Sequence, residues 1–157
     1  KTNTDTDDEI ECNFAGRIYV STTFVSKNVW IIDSVASDHM VPTLDNLQKV
    51  RTLPKQPKIN LPNGKTVCVT HMGELSLDCG LVLKNVLFVP DFKQHLLSVQ
   101  KLLKDNNCSA TFYDYGCVIQ DCFSREIKAK GKASSGIYYL QNNQPVSSQS
   151  STRQTIS

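Results

Sequence analysis

The stretch of this sequence best equipped for chemistry is Trp30-Ile31-Ile32-Asp33-Ser34-Val35-Ala36-Ser37-Asp38-His39-Met40. A compact apolar run, Val29-Trp30-Ile31-Ile32, stops abruptly at a carboxylate, followed by a hydroxyl residue and then by small side chains. A carboxylate delivered to a loop by a buried strand can act as a general acid or base. The same residues also suit an ordinary Asp that ends a strand and starts a Ser-rich turn, because such side chains bond their own backbone there. On residue types alone that plainer reading weighs more.

The elements that must position Asp33 read as short β-type runs broken by turn residues. Ile18–Val25 alternates and is rich in β-branched and aromatic residues. Lys58–Leu61 and Thr66–Thr70 flank Pro62-Asn63-Gly64, and Asn-Gly between strand-like runs predicts a type I′ hairpin turn. Glu74–Leu77, Leu81–Leu83 and Val86–Val89 continue the series, and so do Ala110–Tyr113, Gly116–Gln120, Glu126–Ala129 and Gly136–Leu140. One segment differs: apolar residues at 96, 99, 102 and 103 have helical spacing and predict a helix near 94–104, stopped by Asp105-Asn106-Asn107. The pattern predicts an all-β fold, a small closed barrel of short strands with one short helix.

Residues 1–16 open polar and acidic and read as a flexible linker, whereas 141–157 are Gln/Ser/Thr-rich and read as a disordered tail. The folded part then runs over about 17–140, one domain with a modest core. The 17 basic and 15 acidic residues leave a net charge of +2, which makes no case for nucleic acid or an anionic membrane. No apolar run approaches membrane-spanning length. The locally basic stretch Arg125–Lys132 reads as a solvated strand or turn, not as an RNA contact. Cys12, Cys68, Cys79, Cys108, Cys117 and Cys122 form no CxxC pair, and of His39, His71 and His95 only His71 stands near a cysteine, three positions after Cys68. One such pair is not a set of close-spaced metal ligands, and reduced thiols in a cytosolic protein are the reading, with no metal and no cofactor.

The run 30–40 resembles the WIIDSGASDHM motif of copia-type retrotransposon Gag-Pol polyproteins, which marks their retropepsin-like aspartic protease. Leu61-Pro62-Asn63-Gly64 resembles that family's LPNG hairpin, and Leu83–Lys93 resembles its LxNVLYVPDFK segment. Gln94–Leu103 resembles NLLSVSKL. Cys117–Asp121 and Gly136–Leu140 resemble its C-x-IQD and GLYYL elements. The matches keep the family's order and cover about residues 28–140.

The resemblance implies a polyprotein-processing endopeptidase in cytoplasmic virus-like particles, acting on peptide segments of its own polyprotein. In retropepsin-like enzymes two Asp-Ser/Thr-Gly loops meet, and their carboxylates share one proton because like charges so close cannot both ionise. This sequence holds one such loop, so catalysis implies a homodimer in which each subunit gives Asp33. Ser34 would bond across the dimer and hold the loops rigid. Val35, Ala36 and Ser37 would lie beside the substrate, and the hairpin around Asn63 and Gly64 would be the mobile flap. The mechanism uses no histidine, so Asp38 and His39 are expected in structural or hydrogen-bonding roles, with Trp30 in the core.

Val35 departs from the family's motif, which has Gly there. Its isopropyl group adds bulk where two loops must approach, and a left-handed backbone at that position would strain a β-branched residue by about 1–3 kcal/mol. The expectation is a protease impaired in this copy; the alternative is an inactive β-domain retained as a structural or dimerisation module.

Overall fold

The computed structural model describes residues 29–141. The strand expected at Ile18–Val25, the linker and the tail beyond residue 141 lie outside those residues. The described chain runs β1 (Trp30–Asp33), β2 (Met40–Val41), β3 (Gln48–Thr52), β4 (Lys58–Asn60), β5 (Thr66–Cys68), β6 (His71–Ser76) and β7 (Val82–Phe88). It continues with β8 (His95–Ser98), α1 (Val99–Asn106), β9 (Cys108–Phe112), β10 (Gly116–Asp121), β11 (Ile127–Ser134) and β12 (Ile137–Gln141). Among the described residues the fold is all-β with one short helix. No described helix is long and apolar enough to cross a membrane.

Ten strands form one sheet in the order β3-β6-β7-β2-β8-β1-β12-β11-β10-β9, while β4 and β5 form a separate hairpin. The expected closed barrel is not found: among the described residues β3 and β9 are edges, and the ladder between them is open. Edge strand β3 is exposed throughout, and a register shift between Gln48 and Arg51 interrupts its pairing with β6. A bulge with charged residues is a common way to blunt an exposed edge.

Successive side chains of a strand point to opposite faces, so β1 and β8 supply both halves of the core. Trp30, Ile32 and Leu97 pack with Val99 and Leu102 of α1 on one face. Ile31 and Leu96 pack on the other with Met40 and with Ile59, Leu61 and Val69 of the β4–β5 region. Strand β1 is thus buried on both sides, flanked by β8 in parallel and β12 antiparallel. That explains its unbroken apolar run, the pattern of a central strand with both faces covered.

The same burial corrects the helix expectation. The helix is confined to Val99–Asn106, and His95–Ser98 forms strand β8, buried at all four positions. Two-sided burial against β1 overrides the helical spacing there, because a strand hides adjacent residues Leu96 and Leu97 on opposite faces. Ser98 caps the helix N-terminus, and Asn107 closes its C-terminus in the left-handed region at φ 52°.

The hairpin turn is also not the expected type. Gly64 alone takes positive φ, at +81°, while Asn63 does not. Gly64 N–H donates to the Leu61 carbonyl at 2.9 Å and Leu61 N–H to the Lys65 carbonyl at 2.8 Å. This is a three-residue loop with Pro62 at its first position and Gly64 in the left-handed place, a bulged turn in which Pro supplies the fixed φ.

Candidate active site at the Asp33 loop

Asp33 ends β1, and its register partner across the parallel ladder is Ser98, the last residue of β8. Both strands stop at the same level, and the chain leaves one as a loop and the other as a helix. Asp33 Oδ1 accepts from the backbone N–H of Val35 at 2.8 Å and of Ala36 at 3.1 Å. The loop is therefore folded back around one carboxylate oxygen, in the self-capping turn that Asp favours. Asp33 is half-buried, and Ser34 and Val35 are exposed.

Val35 is 49% exposed, and it is absent from the residues with positive φ. The left-handed strain considered for a β-branched residue here does not arise; what Val35 adds is an isopropyl group on the outer surface of the loop. Ala36 differs, with its methyl buried at 1% exposure among the core residues that include Ile31 and Met40. Ser37 is half-buried, and its hydroxyl donates to Asp38 Oδ2 at 3.0 Å.

Beneath the loop lies a polar cluster that ties it to α1. The Ser98 hydroxyl donates to the Ala36 carbonyl at 2.7 Å and accepts from Lys101 N–H at 3.3 Å, so one side chain holds the loop and caps the helix. Ser98 N–H donates to His39 Nδ1 at 3.0 Å. His39 is fully buried, and its carbonyl accepts from Leu87 N–H at 2.9 Å. Burial lowers the His39 pKa to about 3, with a further push from Lys101 that Asp38 partly opposes. The ring is neutral at ordinary pH. Lys101 Nζ in turn pairs with Asp38 Oδ1 at 3.0 Å and reaches the Asn85 carbonyl at 3.4 Å.

The Asn63-Gly64 hairpin lies on the same face as Ala36, since Ile59 and Leu61 share its core cluster. Ile59 and Leu61 are buried, whereas Pro62, Asn63 and Gly64 at the tip are exposed. Asn63 Oδ1 accepts from Lys65 N–H at 3.0 Å, and Lys65 forms an ion pair with Asp91. A cleft of about 230 Å³ runs between this tip and the loop that joins β7 to β8, lined by Leu61, Pro62, Asn63 and Asp91 through Gln94. A second, of about 470 Å³, opens at the other end of β1 beside Trp30 and His95. Asp33 lines neither cleft. No group of three or more His, Cys, Asp or Glu among the described residues is arranged to hold a metal ion.

Ser34 and Val35 thus stand beside Asp33 on the exposed rim, Ala36 is turned into the core, and Asn63 and Gly64 form a separate exposed tip. Sequence reasoning missed Ser98 and Lys101. The available signal was the apolar run Leu96-Leu97 ending in Ser98, a helix-capping residue followed three positions later by Lys101, which faces the loop.

Residues 30–108 match the family model described as "Pol polyprotein, beta-barrel domain". The chain is similar to the retrovirus-related Pol polyprotein from transposon RE1 of Arabidopsis thaliana, 28% identical over 127 residues. That match covers 78% of this chain and 9% of the relative. The corresponding polyprotein from transposon RE2 is 28% identical over 114 residues, covering 71% of this chain and 8% of the relative. The chain therefore spans less than a tenth of the length of these relatives. No solved structure matches.

Proposed function

The chain belongs to the Pol polyprotein β-barrel domain family, and from that premise we propose that it is an aspartic endopeptidase domain acting on its own polyprotein, with activity curtailed at Val35. The observation that carries this reading is the Asp33 carboxylate at the end of a rigid central strand. Oδ1 is held by the Val35 and Ala36 N–H groups, and Ser34 and Val35 beside it are exposed. A carboxylate fixed in this way is pre-oriented for proton transfer to or from a water.

One carboxylate is half of the chemistry. The neighbouring acid of the loop, Asp38, is engaged by Lys101 and Ser37, so it is not the second member. A second copy of the chain supplies it when two Asp33 loops face each other across a two-fold axis. The pair then shares one proton: the ionised member takes a proton from the attacking water while the protonated member donates to the scissile carbonyl. Ser34 would brace the paired loops. The hairpin tip at Asn63 and Gly64 would fold over an extended peptide and exclude water. The working place of such a dimer is the cytoplasmic particle that assembles from the polyprotein.

Val35 stands at the contact. Its exposed isopropyl group would meet its twin at the two-fold axis and hold the carboxylates apart, and about 1 Å of misplacement can cost ~100-fold in rate. That exposure equally favours a second reading, in which the domain keeps the fold as a structural module without proteolysis. A peptide-cleavage assay at acid pH separates the two. Val35→Gly should cleave a polyprotein-derived peptide library faster than wild type, and Asp33→Asn added to it should abolish the gain. If Val35→Gly cleaves nothing, the endopeptidase reading is wrong.

A further inference from the structure

We propose that His39 is the positioning residue of the Asp33 loop, acting through its Nδ1 acceptor on Ser98 rather than through any proton of its own. The inference rests on the Asp33 loop being the working site. Ser98 is the joint of the arrangement: it is the register partner of Asp33, it bonds the Ala36 carbonyl, and it caps α1. A hydroxyl can do both jobs only if the Ser98 backbone stays where β8 ends. There its N–H is held by His39 Nδ1 at 3.0 Å.

The direction of that bond determines the tautomer. Nδ1 accepts, so it carries no hydrogen, and the single proton of the neutral imidazole sits on Nε2. Nε2 is buried and has no hydrogen-bond partner among the described residues. A buried N–H left unpaired is costly, and an apolar side chain of similar size would fill this place without that cost. What an apolar side chain would lack is the acceptor for Ser98. The imidazole's contribution at this position is therefore Nδ1. Lys101 and Asp38 make a second tie between the same loop and the same helix, so the loop is held at Ala36 and again at Asp38, directly before His39.

Two substitutions separate this role from bulk packing. His39→Asn places a carbonyl oxygen near the position of Nδ1, whereas His39→Leu fills the space and offers no acceptor. Amide hydrogen exchange of the full chain reads the outcome locally. In His39→Leu, exchange at Val35, Ala36 and Ser98 should rise by about tenfold or more, while amides paired between β9 and β10 change by less than about twofold. His39→Asn should bring the amides of Val35, Ala36 and Ser98 back to within about threefold of wild type. Uniform acceleration across both regions would mean general destabilisation and overturn the inference. So would an unchanged loop in His39→Leu, or an Asn variant no better than Leu. Should His39→Leu fail to fold, nitrogen chemical shifts of the wild-type ring decide: a proton on Nε2 supports the inference, and a proton on Nδ1 overturns it. These readouts do not depend on proteolysis. An inactive Val35→Gly would remove the endopeptidase reading and leave the positioning test intact.

Discussion

Asp33 and Ser98 end two parallel central strands side by side, one carrying the candidate carboxylate and the other starting the helix that braces its loop. From this pairing it follows that the loop's geometry depends on α1 and β8 as much as on its own residues.

Removing the Ser98 hydroxyl should therefore cost more than a surface change. Ser98→Ala loses the bond to the buried Ala36 carbonyl, and it loses the helix cap at Lys101. An unsatisfied buried acceptor costs about 1–3 kcal/mol and a lost cap about 1 kcal/mol. Urea denaturation should show a drop of about 2 kcal/mol or more at unchanged slope. A change below about 0.5 kcal/mol would mean that the hydroxyl holds nothing.

Stability should fall with acid, and His39 gives the sign. Its folded pKa, about 3, lies below the ordinary 6.5, so the unfolded chain binds a proton that the folded chain refuses. The contribution is complete above pH 6.5 and is lost progressively as pH falls towards 3. Burial of His95 lowers its pKa as well and adds in the same direction. Urea midpoints measured from pH 8 to 4 should decline in wild type and decline less in His39→Asn, which has no imidazole to protonate. Parallel curves would contradict the assignment.

Gly131 of β11 sits where no side chain fits. A Cβ there would stand 2.6 Å from Cys117 Sγ and 2.7 Å from Ile32 Cδ1, the residue before Asp33. Gly131→Ala should destabilise by about 1–3 kcal/mol, the usual cost of overpacking. Amide shifts should move at Asp33 because Ile32 must yield. A thermal midpoint equal to wild type would show that the core relaxes freely at this position.

Much of this arrangement was legible in the sequence. The run Val29–Ile32 ending at Asp33 identified a buried strand delivering a carboxylate, and Pro62-Asn63-Gly64 marked a hairpin. Local turn chemistry and apolar runs act over a few residues, so they can be read from a few residues. What was not legible depended on partners far along the chain. His95–Ser98 reads as helix until β1 is known to lie beside it, when two-sided burial makes it a strand. The open order of the sheet, with β3 and β9 at its edges, follows from long-range pairings that no single segment encodes. Ser98 and Lys101 escaped notice for the same reason, since they reach Ala36 and Asp38 across 62 and 63 positions. At Val35 only the conformation of the loop could separate backbone strain from exposed bulk.

The central claim is that two Asp33 carboxylates from two chains make one site, and a mixing experiment tests it most directly. Val35→Gly protein is combined with increasing amounts of the double variant Val35→Gly/Asp33→Asn at fixed total concentration, and peptide cleavage is followed after the subunits exchange. If each site needs both carboxylates, mixed dimers are dead, and activity falls as the square of the active fraction. An equal mixture then keeps about one quarter of the starting rate. A linear fall, leaving about half the rate, would show that one chain cleaves alone and would contradict the account.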